Sequence, residues 1–97
     1  MYTATMLYNF KDEAFEKACK IWKSEVMELA KNQEGFIRMQ FLTAKPKAMA
    51  IGTWKKKEFA QEFMATGVFI KLMEKLEPLL IEKPIPSVWD LKYFEEK

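Results

Sequence analysis

Few side chains of this chain are suited to catalysis. The 97 residues include no histidine and a single cysteine, Cys19. The missing histidine excludes Ser-His-Asp and Cys-His catalysis, and it excludes haem and metal sites that need a histidine ligand. One cysteine excludes an intramolecular disulfide and any metal site built from several thiolates. Cys19 falls on the apolar side of a predicted helix, where we interpret it as a small buried side chain.

Two aromatic residues with polar tips remain as candidates for chemistry. Tyr8 lies near the end of a predicted strand, and Trp22 lies on the apolar stripe of the following predicted helix. A tyrosine hydroxyl could donate a hydrogen bond to a substrate carbonyl or stabilise a developing phenolate. A tryptophan ring could stack on an aromatic ligand. The alternative interpretation is that both side chains fill the core and reach its edge with their polar tips.

The charged residues predict a solvated surface. Sixteen basic and fourteen acidic residues leave a net charge of +2, and no basic face of the kind that binds nucleic acid is visible. Glu58 and Glu62 stand four residues apart near lysines, a spacing typical of surface ion pairs on a helix. We interpret the three consecutive lysines at 55–57 as a solvated patch. No glycine-rich phosphate loop and no nucleophile motif occurs.

Hydrophobic periodicity predicts the elements that position Tyr8 and Trp22. Residues 2–10 alternate like a strand, whereas apolar residues from 15 to 30 recur at helical spacing. The predicted order is strand, helix, strand, strand, helix, helix and strand, over residues 2–10, 12–31, 36–43, 48–54, 55–65, 68–80 and 87–93. A break between the two later helices is expected at residues 66–67, and Pro84 and Pro86 are expected to form a stiff linker before the last strand.

This order predicts an α+β fold, a ferredoxin-like βαββαβ monomer with a four-stranded antiparallel sheet and helices on one face. The other face would expose an apolar patch, and a second copy of the same sheet is the simplest cover. We therefore expect a homodimer formed through the open sheet face, with Arg38 and Gln40 in inter-subunit hydrogen bonds. On strict alternation, the patch contains Leu7, Phe36 and Leu42, with either Val88, or Trp89, Leu91 and Tyr93, from the last strand.

Three segments of the chain resemble the antibiotic biosynthesis monooxygenase (ABM) domains. They are residues 34–36 (Glu-Gly-Phe), 40–42 (Gln-Phe-Leu) and 52–59 (Gly-Thr-Trp-Lys-Lys-Lys-Glu-Phe). In ABM domains a Gly-Phe pair opens the second strand, and a Trp closes the third before a short charged segment and a helix. The later helix and the last strand also fit, so the resemblance covers residues 1–97 as one domain. It implies the dimeric α/β-barrel architecture, in which the sheets of two ferredoxin-like monomers pair.

The resemblance also implies a substrate pocket between the sheet and the helices of each subunit. Some ABM members oxidise aromatic polyketides or quinols with oxygen and no bound cofactor, others degrade haem, and others have no established activity. We place Tyr8 and Trp22 in this pocket as catalytic candidates. Trp54 is expected mainly to anchor the junction between strand and helix. The apolar residues predicted for the pocket, or alternatively for the core alone, are Phe41, Phe63, Phe69 and Met73.

The haem-degrading branch fits this sequence poorly. Its members use an Asn at the end of the first strand, a Trp in the helix after the third strand and a His in the next helix. Aligned without gaps, these positions are Tyr8, Phe63 and Met73. Asn9 is one residue away and, by alternation, points to the opposite sheet face. No alignment supplies the histidine, so the resemblance does not extend to haem degradation.

The sequence therefore predicts a cofactor-independent monooxygenase acting on a small aromatic, quinol-like or polyketide-like compound, without metal or bound cofactor. The alternative is a non-catalytic homodimer that binds a small apolar ligand or serves a structural or stress-related role. No apolar run is long enough to span a membrane, and the N-terminus alternates like a strand instead of resembling a signal peptide. We expect a cytoplasmic protein with no membrane or nucleic-acid partner.

Overall fold

The computed structural model describes all residues from Met1 to Lys97. Four strands form one sheet in the order β2-β3-β1-β4, and every neighbouring pair is antiparallel. This is the ferredoxin-like arrangement, so the predicted fold class is confirmed. The strands are β1 (Tyr2–Asn9), β2 (Phe36–Ala44), β3 (Lys47–Trp54) and β4 (Ile85–Asp90).

The helices cover one face of this sheet. The first helical stretch begins with a 3-10 turn and ends with a short α-helix. Gly67, between the two later helices, has a φ of 84°, a left-handed conformation that favours glycine, so the predicted break is confirmed. The helical elements are a 3-10 turn (Asp12–Ala14), α1 (Phe15–Trp22), a π-helical segment (Lys23–Met27), α2 (Glu28–Ala30), α3 (Lys57–Met64), α4 (Val68–Leu76) and a second 3-10 turn (Glu77–Leu79).

The first helical stretch buries residues spaced four apart. Ala18, Trp22, Val26 and Ala30 are each at most 1% exposed. In a regular α-helix each step of four residues overshoots a full turn by about 40°, so such a row drifts around the helix. The π-helical segment has a wider turn, with i to i+5 hydrogen bonds, and this reduces the drift between Trp22 and Ala30. The segment therefore keeps these side chains on the face that meets the sheet.

A bulge in β2 changes which residues face the helices. Phe36 pairs with Trp54 and Arg38 pairs with Thr53, so Ile37 is an extra residue in the strand. The Phe36 ring packs edge-on against Trp54 with centroids 5.7 Å apart, whereas Arg38 points to the open face. The prediction that Phe36 lies on the open face was wrong, because strict alternation fails across a bulge.

The last strand begins earlier and ends earlier than predicted. Pro86 lies inside β4 opposite Met6, and does not belong to a linker. An edge strand tolerates proline because its missing N–H can face away from the ladder. Asp90 pairs with Tyr2, where β1 begins, so the residues after Asp90 have no further strand partner in the sheet.

The open face carries an apolar row across all four strands. Leu42, Met49, Leu7 and Ile85 are neighbours in register, and Leu42 and Ile85 are 48% and 54% exposed. Of the alternatives for β4, Trp89 shares this face, since its register partner is Thr3 and its indole N–H donates to Thr5 Oγ1 at 3.0 Å. The other alternative, Val88, pairs with Ala4 on the helix side. Leu91 and Tyr93 follow the strand.

The C-terminal segment, residues 91–97, returns across the open face. The Arg38 guanidinium lies 4.0 Å from the centre of the Phe94 ring and 3.8 Å from a Glu96 carboxylate oxygen. Because β4 and β2 are opposite edges of the sheet, the segment spans the strands between them. Thr3 and Thr53 on those strands are buried, with their hydroxyl oxygens 3.4 Å apart. One end of the open face is thus covered by the chain itself.

Candidate ligand-binding cavity

A cavity of about 310 Å³ lies between the sheet and the helices. It is formed by all four strands, the first helical stretch, α3 and α4, and none of the nineteen lining residues carries a charge. The lining residues are Tyr2, Ala4, Thr5, Met6, Tyr8, Trp22, Val26, Met39, Ala50, Gly52, Trp54, Ala60, Phe63, Met64, Phe69, Ile70, Pro86, Ser87 and Val88.

Small residues in the middle of the sheet make the floor of this cavity. Ala50 and Gly52 of β3 and Ala4 of β1 all face the helices, and Ala4 is the direct partner of Gly52. A packed core normally fills such central positions with large side chains. We did not predict these three residues as part of the site. The alternation Ala-x-Ala-x-Gly at 48–52 is the sequence signal that could have revealed them.

Aromatic rings form the walls. Trp54, 2% exposed, packs against Phe63 with ring centroids 5.3 Å apart, and Phe63 meets Phe69 edge-on at 5.8 Å. These contacts join β3, α3 and α4 around one side of the cavity. Trp54 thus anchors the start of the α3 region, as expected, and also borders the cavity.

The deep end of the cavity contains two polar atoms of aromatic residues. The Trp22 indole N–H is buried and makes no hydrogen bond of ordinary geometry, but it interacts weakly with the neighbouring Tyr8 hydroxyl oxygen. Burial raises the pKa of the Tyr8 hydroxyl from 10.0 to about 12, while the nearby Trp22 side chain opposes this more weakly. The Tyr8 hydroxyl is therefore neutral at physiological pH and can donate a hydrogen bond. Since a tryptophan N–H can only donate, the deep end presents two donors.

An unpaired buried N–H is costly. Leaving a buried donor unsatisfied costs about 1–3 kcal/mol, and few such groups persist in folded proteins. The π-helical segment begins directly after Trp22, and π segments frequently occur at functional sites. On the outer side of the helices, an ion pair between Glu25 and Lys75 joins this segment to α4. The position of Trp22 in the wall of the cavity is thus fixed by backbone geometry.

The mouth of the cavity lies between α3, α4 and the edge strand β4. Met64, Ile70 and Val88 line it and are 50%, 71% and 64% exposed. In contrast, Tyr8 and Trp22 are each 1% exposed. The cavity therefore runs from an apolar entrance to a buried end with two donors.

Five of the seven predicted pocket residues line the cavity, and two do not. Phe41 is covered by Trp22, whose ring stacks on it with centroids 4.4 Å apart, so the indole lies between Phe41 and the cavity. Met73 lies one turn of α4 beyond Phe69 and faces a separate groove. Phe41 and Met73 therefore lie outside the lining of this cavity. The predicted residues that line it are Tyr8, Trp22, Trp54, Phe63 and Phe69.

The remaining polar residues lie elsewhere. The Asn9 amide donates to Glu82 Oε1 at 3.3 Å and does not line the cavity. Cys19 is half-buried next to the back of Trp22, and burial together with Glu16 raises the pKa of its thiol. No group of three or more Cys, Asp or Glu side chains is arranged to hold a metal ion. No helix is long and apolar enough to cross a bilayer.

No family model and no curated protein sequence matches this chain, but solved structures do. A putative antibiotic biosynthesis monooxygenase from Nitrosomonas europaea superposes with a TM-score of 0.85 at 14% identity, over 96% of this chain and 100% of that one. The cofactor-independent oxygenase SnoaB from Streptomyces nogalater gives 0.83 at 14% identity, over 99% and 97%. A Streptomyces coelicolor monooxygenase, solved in complex with nanaomycin D, gives 0.82 at 14% identity, over 99% and 91%. At these identities the likeness concerns architecture, and on that evidence the chain has the fold of the antibiotic biosynthesis monooxygenase domains.

Proposed function

We propose that this protein binds a small, neutral aromatic compound of the quinol or polyketide type and promotes its oxidation by oxygen without a bound cofactor. The observation that carries the proposal is the uncharged cavity whose buried end is lined by the neutral Tyr8 hydroxyl and the neighbouring Trp22 indole. A carbonyl or phenol oxygen would satisfy both donors. Apolar walls would hold the rings. The likeness in fold to a cofactor-independent oxygenase supports this choice of reaction.

The proposed reaction needs an electron-rich substrate. For an anthrone, two C–H bonds of the ring methylene break, a C=O bond forms with one oxygen atom, and the second oxygen atom leaves as water. The substrate supplies all four electrons, so no other reductant is needed. It must first lose a proton to become an enolate or phenolate, and water takes this proton because no lining residue carries a carboxylate or an amine.

The two donors have a defined task in this scheme. Deprotonation concentrates negative charge on the substrate oxygen, and donors held in place by an apolar cavity stabilise such charge more than bulk water does. The raised pKa of Tyr8 keeps its proton on the hydroxyl, so Tyr8 acts as a donor and not as a base. Removing one donor of this kind typically slows a reaction about a hundredfold.

Oxygen uptake with a panel of hydroquinones and anthrones tests the proposal. We expect uptake by the native protein, reduced about a hundredfold in Tyr8→Phe and in Trp22→Phe. Tyr93→Phe is the matched control, since Tyr93 is 83% exposed and lies outside the cavity. It should behave like the native protein. All variants should show native circular dichroism, and Tyr93→Phe should also keep the native unfolding temperature, whereas Trp22→Phe should unfold at a lower temperature because it removes buried volume.

Two outcomes would contradict parts of the proposal. Uptake that both cavity substitutions leave unchanged would exclude the donor roles of Tyr8 and Trp22. No uptake with any compound of the panel would argue against the oxygenase and favour the second candidate. That candidate is a non-catalytic protein that binds the same class of ligand, and the absence of any base among the lining residues favours it.

We also propose that two copies associate through the open sheet face. The apolar row that contains Leu42 supports this, because a monomer rarely leaves such a continuous apolar surface in water. Leu42→Glu should convert a dimer to a monomer in native mass spectrometry. Leu29→Glu is the control, since Leu29 is also 48% exposed but lies on a helix. A native monomer would refute the proposal. The cytoplasmic location stays a prediction of the sequence.

A further inference from the structure

A second depression, a groove of about 540 Å³, adjoins the cavity. The two share Met6 and Pro86 as lining residues, and these two residues are direct partners across β1 and β4. They are the only two residues that line both the cavity and the groove. The groove continues beyond this pair towards the end of α4.

One face of α4 roofs both spaces. Phe69 lines the cavity, while Met73 and Glu77 line the groove. Each of these residues is four positions from the next, so their side chains lie one above another along the helical stretch. At 1.5 Å per residue, the distance from Phe69 to Glu77 is about 12 Å. Cavity and groove thus lie next to each other under the same helical stretch, with Met6 and Pro86 between them.

The divider between them is a flexible side chain. Met6 is unbranched and can adopt several rotamers, which lets methionine adapt to different neighbours. The groove beyond it has a mixed lining, whose apolar part includes Met73, Leu80 and the 60% exposed Ile81. Its charged residues are Glu77, Glu82 and Lys83, which lie where the chain is in contact with water.

We infer that the groove is a subsite for an aliphatic chain carried by the ligand whose ring lies in the cavity. The ligand would then be an amphipathic aromatic, with its oxygen at Tyr8 and Trp22 and its chain passing Met6 into the groove. The position of the groove directly behind the flexible Met6 and the apolar part of its lining argue for this occupant. The inference rests on the proposed ring site, but it does not require that the ligand be oxidised.

Calorimetric titration with methyl-, butyl- and octyl-substituted naphthoquinones tests the inference. We expect the affinity to rise about three- to fourfold for each methylene that enters the groove. Ile81→Glu and Met73→Gln should abolish this rise and leave the affinity for the methyl compound unchanged. Leu29→Glu, an equally drastic change on a distant exposed helix position, should keep the full dependence on chain length.

The methionines offer a second readout that does not depend on a variant folding. In a protein labelled at the methionine methyl groups, the methyl compound should shift the resonances of cavity residues such as Met39 and leave that of Met73 unchanged. The octyl compound should shift Met73 as well. An affinity independent of chain length, or an octyl compound that never perturbs Met73, would overturn the inference. Binding without oxygen uptake would refute only the proposed oxidation, whereas failure of every compound to bind would refute both.

Discussion

Replacing each of the three glycines by alanine, one at a time, distinguishes the effects of backbone strain, of side-chain packing and of cavity volume. Gly35 has a φ of 78°, and a Cβ placed there would lie 2.2 Å from ring carbons of Phe59. Gly67 has a φ of 84°, but a Cβ there would meet nothing within 4 Å. Gly52 has an ordinary backbone conformation, and its Cβ would lie 3.1 Å from Met39 Cε. The same chemical change therefore has three different physical consequences.

The expected changes in the free energy of unfolding follow from these contacts. A left-handed conformation costs an alanine about 1–2 kcal/mol in the folded state. Alanine also restricts the unfolded chain, which stabilises the folded state by about 0.4–1 kcal/mol. The net effect of Gly67→Ala should be a destabilisation of about 1 kcal/mol. Gly35→Ala adds an overlap with Phe59 that typically costs about 1–3 kcal/mol, for a total of about 2–4 kcal/mol. Gly52→Ala should be neutral or stabilising by up to about 0.5 kcal/mol, since alanine is better than glycine within a strand.

Only Gly52→Ala should change the cavity. One methyl group added to the floor occupies about 30 Å³, or a tenth of the cavity. A difference of one methylene in an apolar pocket changes affinity about tenfold or more, so this variant should bind methylnaphthoquinone about ten times more weakly. It should nevertheless unfold at or above the native temperature.

Urea unfolding and calorimetric titration on the three variants check these values. For a domain of this size, 1 kcal/mol corresponds to about 4–8 °C in unfolding temperature. If Gly35→Ala and Gly67→Ala lost the same stability, the contact with Phe59 would not matter. If Gly52→Ala bound ligands as tightly as the native protein, the small residues would not form the floor of the binding site.

Two further predictions concern single groups. Because burial raises the pKa of Tyr8 from 10.0 to about 12, the unfolded chain loses this proton first as the pH rises. The free energy of unfolding should then fall between about pH 10 and 12 by up to about 2–3 kcal/mol. Urea unfolding at pH 9 and 11 should show a smaller fall for Tyr8→Phe than for the native protein. An equal fall in both proteins would exclude this effect of Tyr8 burial. Arg38→Ala removes the contacts with Phe94 and Glu96, so amide exchange should increase in residues 91–97, while the unfolding temperature falls by no more than about 5 °C. Unchanged exchange would show that other contacts hold the segment.

The fold could be predicted because its signals are local. The alternation in β1 and the four-residue spacing of buried positions in the first helical stretch depend only on neighbouring residues. Phe36 was misplaced because a bulge inserts one residue into the alternation, and this becomes visible only when the register with β3 is known. The start of β4 was misplaced because Pro86 is tolerated only at a sheet edge, and the strand order is a tertiary property.

The site could be predicted only in part for a similar reason. Tyr8, Trp22 and Trp54 have inward positions that follow from periodicity. Phe41 has the same inward periodicity, but the ring of Trp22 separates it from the cavity, and no sequence pattern shows which of two stacked rings lies closer to an empty space. The floor at Ala50 and Gly52 was not predicted because these residues carry no chemical group, and it is their small side chains that leave the space empty.

The two edges of the sheet have a consequence for how the protein can assemble. β2 carries an extra residue at Ile37, and β4 includes Pro86, which has no N–H to offer. Neither edge therefore presents an unbroken ladder of donors and acceptors to which another strand could add. The addition of further strands at either edge, which would build ribbons or fibrils, is therefore unfavourable. The apolar row on the open face can be buried only by contact between faces, a geometry that closes after two copies.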